Sequence, residues 1–324
     1  VAYLQPNGGL GEANVGLVIG EGESLVIDTC WDHVQARRML GELAAWTERA
    51  PIGSVVNTHS NGDHWWGNSA MPDDAAIVAT QAAAAGMRVE SPRALVALQT
   101  GLRLACHLPL PASLDHKIRG GAHELAPFEF RSVRRRFPDM TFTGALDLML
   151  PGGHRVELVE VQPAHTAGDL MAFDHGSGTV FAGDLLFIGQ TPIMWAGPAA
   201  NWIRALERLV AFDPEAIVPG HGPLPTLEDV RTHIAYWAWV SEVAADLHRR
   251  GVRVEQATLE MLRSSEFRAG PWAHWKRPEI LAASLTAQYR HLDGKTGPMR
   301  QHHMAATMLR IQSVGDALVK GRAP

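Results

Sequence analysis

Thr58-His59-Ser60-Asn61-Gly62-Asp63-His64 decides the reading of this chain, because His59, Asn61, Asp63 and His64 are four side chains able to face a metal within one short loop. The loop directly follows an apolar run over 54–57 that reads as a strand. Three more signals each close an apolar, strand-like run further along. They are His165 in Gln162-Pro163-Ala164-His165-Thr166-Ala167-Gly168-Asp169, Asp184 in Phe181-Ala182-Gly183-Asp184, and His221 in Val218-Pro219-Gly220-His221-Gly222. Together these residues suit one or two divalent ions.

Neutral imidazole and carboxylate are the usual nitrogen and oxygen donors for zinc, and a catalytic site leaves one position open for water. Water bound there becomes a nucleophile near neutral pH, and two ions a few ångströms apart need a shared anionic ligand. Asp184 is the bridging candidate. Taken singly, each residue also has an ordinary structural reading: a lone His at a strand end hydrogen-bonds, and Asp63 caps the helix that follows. For the whole set that reading needs the order, the Gly-Asp and Gly-His-Gly contexts and the preceding strands to coincide by chance.

On these residues the chain resembles the metallo-β-lactamase superfamily of hydrolases, whose signature is His-x-His-x-Asp-His followed in order by a His, a bridging Asp and a final His. The resemblance implies His59 and His165 in a first metal site, Asp63, His64 and His221 in a second, and Asp184 as the bridge. The departure is Asn61, which stands where the family has its second His. An amide oxygen is a neutral, weak donor beside imidazole, so the first site is expected to be weakened. Three outcomes stay open: a single ion, two ions with Asn61 a poor ligand or replaced by water, or a different metal. The favoured one is a single tightly held zinc in the second site with conditional occupancy of the first. The resemblance also implies an αβ/βα sandwich over about 15–225.

Organisation along the chain fits layered helices and sheets. Apolar runs at 15–19 and 24–27 flank Gly20-Glu21-Gly22 as in a hairpin, and 32–50 has helical spacing with Asp32 as its cap. In the second half, 156–161, 170–173, 179–181 and 216–218 read as strands and 201–210 as a helix. The expected division is a catalytic domain over 1–225 and a mainly helical extension over 226–324, opened by the capping-box-like Thr226-Leu227-Glu228-Asp229. Residues 88–143, Pro- and Gly-rich with an arginine cluster, read either as a lid insertion or as an irregular surface excursion. Further helices are expected at 254–263, 278–291 and 300–319, and the neighbouring His302 and His303 read as surface residues.

Composition narrows the function classes. Nearly half of the 324 residues are apolar (46%), enough to bury a large core, yet no run is long enough to span a bilayer. A net charge of −5 argues against nucleic acid as a partner, since phosphate binding relies on a broad basic face. The one basic cluster, Arg131, Arg134, Arg135 and Arg136, reads as a solvated face or as intramolecular ion pairs. Cys30 and Cys106 make neither a disulfide framework nor a paired zinc spacing. The first nine residues do not read as a signal peptide, so a cytoplasmic protein is expected, with a removed leader left open by the start at Val1.

The ten tryptophans matter by placement. Trp65 and Trp66 follow the metal loop, and Trp195 and Trp202 follow Asp184; Trp66 and Trp195 are the pocket candidates for an apolar or aromatic substrate. The expected reaction is hydrolysis by metal-bound hydroxide, with Asp63 positioning or deprotonating the water and Asn61 or Asn201 donating to a substrate oxygen. A hydrophobic ester, lactone or lactam, or a haloaromatic undergoing hydrolytic dehalogenation, is preferred over a phosphodiester. The substrate is thus a small molecule, with neither nucleic acid nor membrane as partner, and the tail leaves homo-oligomerisation open. Two alternatives belong to other classes: a non-hydrolytic metal or redox protein, and a degenerate metal-binding protein on the same fold.

Overall fold

The computed structural model describes residues 1–5, 11–295 and 301–320, with the side chains of 112–113 and 301–305 outside that description; His302 and His303 are among the latter. Contacts group the chain into two compact units, Val1–Phe142 with Met149–His154, and Thr143–Leu148 with Arg155–Pro324.

The first unit holds a six-stranded mixed sheet whose spatial order follows the chain: β1 (Ala2–Tyr3), β2 (Val15–Ile19), β3 (Ser24–Ile27), β4 (Ile52–Val56), β5 (Ala76–Thr80) and β6 (Met140–Phe142). β1 to β3 pair antiparallel and β3 to β6 parallel. The β2–β3 turn closes with Gly20 N–H donating to Glu23 O at 2.9 Å, and Gly22 takes φ +78°, a conformation glycine adopts at little steric cost. Every residue of β3 is buried, as expected of a strand covered on both faces. Between β3 and β4 runs α1 (His33–Thr47), begun by Asp32, whose carboxylate accepts Gln35 N–H at 2.8 Å. Ala36, Met39 and Leu43 of α1 pack on Val15, Leu17, Val26, Val55 and Ile77; burying a side chain of the size of Leu43 or Met39 is worth about 1.5–3 kcal/mol.

After β4 come α2 (Gly62–Trp65), then β5, α3 (Gln81–Val89), α4 (Pro92–Ala105) and α5 (Ala112–Leu125). The expectation of an insertion over 88–143 therefore needs correcting at its end, because Met140–Phe142 is sheet, paired parallel to β5. Of the arginine cluster, Arg131, Arg134 and Arg135 are exposed, as a solvated face requires, while two of the four also bond main-chain carbonyls. Arg135 donates to Glu90 O at 3.0 Å and Arg136 to Pro72 O and Asp73 O at 2.8 and 3.0 Å, so these guanidiniums fasten loops by their carbonyls.

The second sheet is five-stranded and mixed, in the order β11-β10-β9-β8-β7, with β7 (Ala145–Leu150), β8 (His154–Glu160), β9 (Leu170–Asp174), β10 (Thr179–Phe187) and β11 (Ala216–His221). β10 reaches six residues beyond the run read from sequence, so Asp184 lies inside a strand and not at its end. The reason is Gly183: it takes φ +51° within a register shift, and the parallel ladder to β11 resumes at Phe187↔His221. Helix α6 (Ala199–Ala211) connects β10 to β11.

From Thr226 the chain is helical: α7 (Leu227–Arg249), α8 (Val254–Arg263), α9 (Ser265–Ala269), α10 (Leu281–Leu292) and α11 (Gln301–Lys320). The capping box is present, with Thr226 and Asp229 each bonding the other's main-chain N–H. These helices share one core with the second sheet: Tyr236, Trp237, Leu281 and Leu285 pack in the same cluster as Val180, Leu186 and Trp202. No described helix is long and apolar enough to cross a membrane.

Candidate metal centre

In the first unit the loop after β4 is fixed by a carboxylate from the loop after β3. Asp28 accepts Thr58 N–H at 2.8 Å on one oxygen, and on the other both the Thr58 hydroxyl at 2.8 Å and His64 Nδ1 at 2.7 Å. Because the Thr58 hydroxyl donates to Asp28, it accepts from His59 Nδ1, 3.0 Å away. Both imidazoles are buried and both are thereby held in the tautomer that carries its lone pair on Nε2. The two rings lie 4.1 Å apart between centroids, and His64 Nε2 is 3.8 Å from Asp63 Oδ2. Asn61 stands at the start of α2, where its main-chain carbonyl accepts His64 N–H at 3.0 Å.

Glu90 adds a second carboxyl to this loop. The Trp65 indole donates to both Ser60 O (3.0 Å) and Glu90 Oε2 (3.2 Å). The residue as a whole is half-buried, but its carboxyl end is the enclosed part, and that burial, together with the Asp63 charge, pushes Glu90 up to about 8 against the Trp65 and Gly62 hydrogen bonds.

In the second unit Asp184 faces two histidines, one with each carboxylate oxygen: Oδ2 lies 3.3 Å from His165 Nε2 and Oδ1 3.4 Å from His221 Nε2. All three residues are buried. His165 Nδ1 donates to Ile193 O at 2.6 Å, which leaves Nε2 as the ring atom that faces the carboxylate and is positioned toward a cation held between them. The spacing fits, because metal–ligand bonds of about 2.0–2.1 Å in tetrahedral geometry put neighbouring ligand atoms about 3.3 Å apart. Gly220 makes the space: a Cβ there would meet Asp184 Oδ1 at 2.0 Å and the Gly183 carbonyl at 2.8 Å. The donor chemistry of the chain therefore fits a divalent metal.

The His165 turn is braced from inside by Asp169, which accepts Thr166 N–H at 2.9 Å and also bonds the Thr166 hydroxyl. Burial pushes the Asp169 carboxyl up to about 6, opposed by the nearby His165 and by those bonds.

Other candidates take different places. Trp66 is 1% exposed and sits inside an aromatic cluster with Trp31, Trp65, Phe128 and Phe130, which makes it core and not an open wall. Trp195 is half-buried, and its main-chain N–H donates to His165 O at 2.8 Å. Asn201 bonds locally: Nδ2 donates to Pro163 O at 2.9 Å and Oδ1 accepts from Arg204, so it braces the segment before His165. Cys30 is buried in the core of the first unit, where desolvation first and the charge of Asp32 next push its thiol well above the ordinary range. Asp28, Thr58, Ile193 and Gly220 went unrecognised in the sequence. Thr58 and Gly220 stand inside the quoted motifs without a role of their own, and Asp28 leaves its trace as a carboxylate at the end of an apolar strand.

This fold and these donors define a class. The family model of the metallo-beta-lactamase superfamily matches residues 8–87 and 102–221, more than half of the chain. The chain belongs to that superfamily and is a metal-dependent hydrolase of mixed α/β fold, with two mixed sheets and a helical C-terminal region. Among curated relatives it is 26% identical over 237 residues to hydroxyacylglutathione hydrolase of Methylococcus capsulatus, covering 71% of this chain and 72% of that protein. It is 21% identical over 242 residues to the 2,4-dinitroanisole O-demethylase subunit alpha of Nocardioides sp., covering 73% of this chain and 60% of the relative. A similar solved structure is the stereoselective inverting sec-alkylsulfatase Pisa1 of Pseudomonas sp., at TM-score 0.64 and 16% identity. That likeness, which concerns the fold, takes in 87% of this chain and 48% of the sulfatase, so the chain spans about half of that enzyme's length.

Proposed function

We propose that this chain is a zinc hydrolase acting on a hydrophobic or aromatic small molecule, with His59, Asp63, His64, His165, Asp184 and His221 as the metal ligands. The observation that carries the reading is Asp184, with one oxygen 3.3 Å from His165 Nε2 and the other 3.4 Å from His221 Nε2. A carboxylate so placed matches the bridging role that the superfamily's order assigns to it. Zinc held by these ligands supplies an acidified water and offsets charge on the attacked group.

The remaining work falls to the chain's own residues. Asp63 holds the attacking water and takes its proton at a carboxylate oxygen. Asn61, in place of a histidine, weakens the first site and leaves one tightly held ion, and its amide is the candidate donor to a substrate oxygen. Trp195 offers an aromatic wall, being the one of the two pocket candidates that is only half-buried. The substrate class is an ester, lactone, lactam or haloaromatic; the nitroaromatic ether named for the Nocardioides relative is of similar character.

A panel of chromogenic aromatic esters, lactones, lactams and haloaromatics tests this, run as purified, after chelation and after zinc is restored. Turnover of one class that chelation abolishes and zinc restores supports the reading. Turnover indifferent to chelation contradicts it.

A further inference from the structure

The C-terminal helices are bonded to the segment that aims His165. Between Phe187 and Ala199 the chain holds His165 at ring and backbone together: Ile193 O accepts Nδ1–H at 2.6 Å, while His165 O accepts Trp195 N–H at 2.8 Å and Ala196 N–H at 3.2 Å. Gly197 N–H donates to Ala164 O at 2.8 Å, which extends the grip to the preceding residue. A segment of this kind, irregular and carrying a proline at 192, has no ladder of its own to set its path.

Its path is set by α10. Ser284 Oγ accepts Met194 N–H at 3.1 Å and donates to Pro192 O at 3.3 Å, and so straddles Ile193, whose carbonyl orients the imidazole. One turn on, Gln288 Oε1 accepts Ala199 N–H at 3.0 Å. Thr191 N–H donates to Lys276 O at 2.9 Å, and Lys276 N–H to Gly189 O at 3.0 Å, tying the near end of the segment to the residues before α10. Ser284 and Gln288 are 0% and 3% exposed in a stretch of α10 that is buried from Leu281 to Gln288. Polar side chains in so apolar a helix cost stability unless they are bonded, and here the bonds go to this segment.

We propose that Ser284 and Gln288 are positioning residues for the metal centre, acting through Pro192, Met194 and Ala199 on Ile193 and thus on the orientation of His165. The helical region after Thr226 then has a part in metal binding that its distance along the chain conceals. The role rests on His165 being a metal ligand; the contacts to Ile193 and Trp195 do not.

Three variants of the full chain separate positioning from packing. Ser284→Ala removes the straddling hydroxyl, Ser284→Thr keeps it, and Thr286→Val alters a buried α10 residue whose hydroxyl donates to Ala282 O and accepts from Arg310, with no bond to the 187–199 segment among the described residues. Chelator competition at zinc concentrations that load both sites gives the affinity of the first, weaker site, the one His165 serves, and the cobalt(II) ligand-field spectrum gives the geometry of its ligands. In metal-free protein labelled with 15N-histidine, hydrogen exchange at His165 Nδ1–H reads the Ile193 bond without any metal. The expected result is a loss of about tenfold in zinc affinity, a changed cobalt spectrum and faster Nδ1–H exchange for Ser284→Ala, since outer partners of a ligand commonly carry effects of 10–100-fold. Ser284→Thr recovers all three toward wild type, and Thr286→Val leaves them unchanged. Wild-type affinity, spectrum and exchange in Ser284→Ala overturn the proposal, as do equal changes in Thr286→Val. A wild-type chain that takes up no metal overturns the metal reading alone, because the exchange measurement still decides whether Ser284 holds His165.

Discussion

Asp28 Oδ2 lies 2.7 Å from His64 Nδ1, both groups fully enclosed, and this contact fixes which nitrogen of His64 is left for a metal. Asp28 also has φ +66°, in the left-handed region. Asn tolerates that backbone, but its single carbonyl oxygen cannot replace both carboxylate oxygens, so Asp28→Asn breaks part of the network that Asp28 holds with Thr58 and His64. The expectation is a loss of about 10–100-fold in zinc affinity by chelator competition, with the metal-free protein destabilised by about 1–3 kcal/mol in urea denaturation. Unaltered affinity would remove Asp28 from the account.

Gly220→Ala places a methyl group 2.0 Å from Asp184 Oδ1 and 2.7 Å from the Gly183 carbonyl carbon, too close for either to stay. The expected cost is about 1–3 kcal/mol in urea denaturation, as for other overpacked sites, together with loss of bound metal. A variant that keeps full metal content shows that Asp184 does not need this position.

Asn61→His restores the donor that the superfamily signature has at that place. Elemental analysis is expected to rise from about one zinc per chain toward two, because imidazole is a far stronger zinc ligand than an amide. No change in stoichiometry would detach Asn61 from the weakness of the first site.

Glu90 gives a pH signature. Its carboxyl sits at about 8 in the folded chain, so between its ordinary value and about 8 the folded state holds a proton that the unfolded state has released. Stability is therefore lost as pH rises through that window. Glu90→Gln, which mimics the protonated form, is expected to match wild type near pH 5 and to melt higher near pH 8, both measured on metal-free protein. Equal melting temperatures at both pH values would contradict the enclosed carboxyl.

Much of the scaffold could be read from the residues in order. β2 and β3 fall where their apolar runs and the Gly-Glu-Gly turn put them, and the α1 and α7 caps are those expected from Asp32 and Thr226. The apolar run read as a strand ends at residue 181, two short of Gly183, whereas in the fold Gly183, with φ +51°, bends a strand that continues to Phe187. Ligand residue types were legible, since His and Asp after strands announce themselves. Their supports were not: Ile193 lies 28 residues from His165, and Ser284 lies 90 from Met194, and no local pattern links partners so far apart. Trp66 shows the limit of placement arguments, because a tryptophan beside a metal loop in sequence is still free to turn into the core.

The central claim is that these ligands hold zinc, and its most direct test is the metal content of the full chain purified without added metal, measured by elemental analysis. About one zinc per chain, removed by chelation and returning on dialysis against zinc, is the predicted result. A chain that retains no metal and takes up none from micromolar zinc would contradict it.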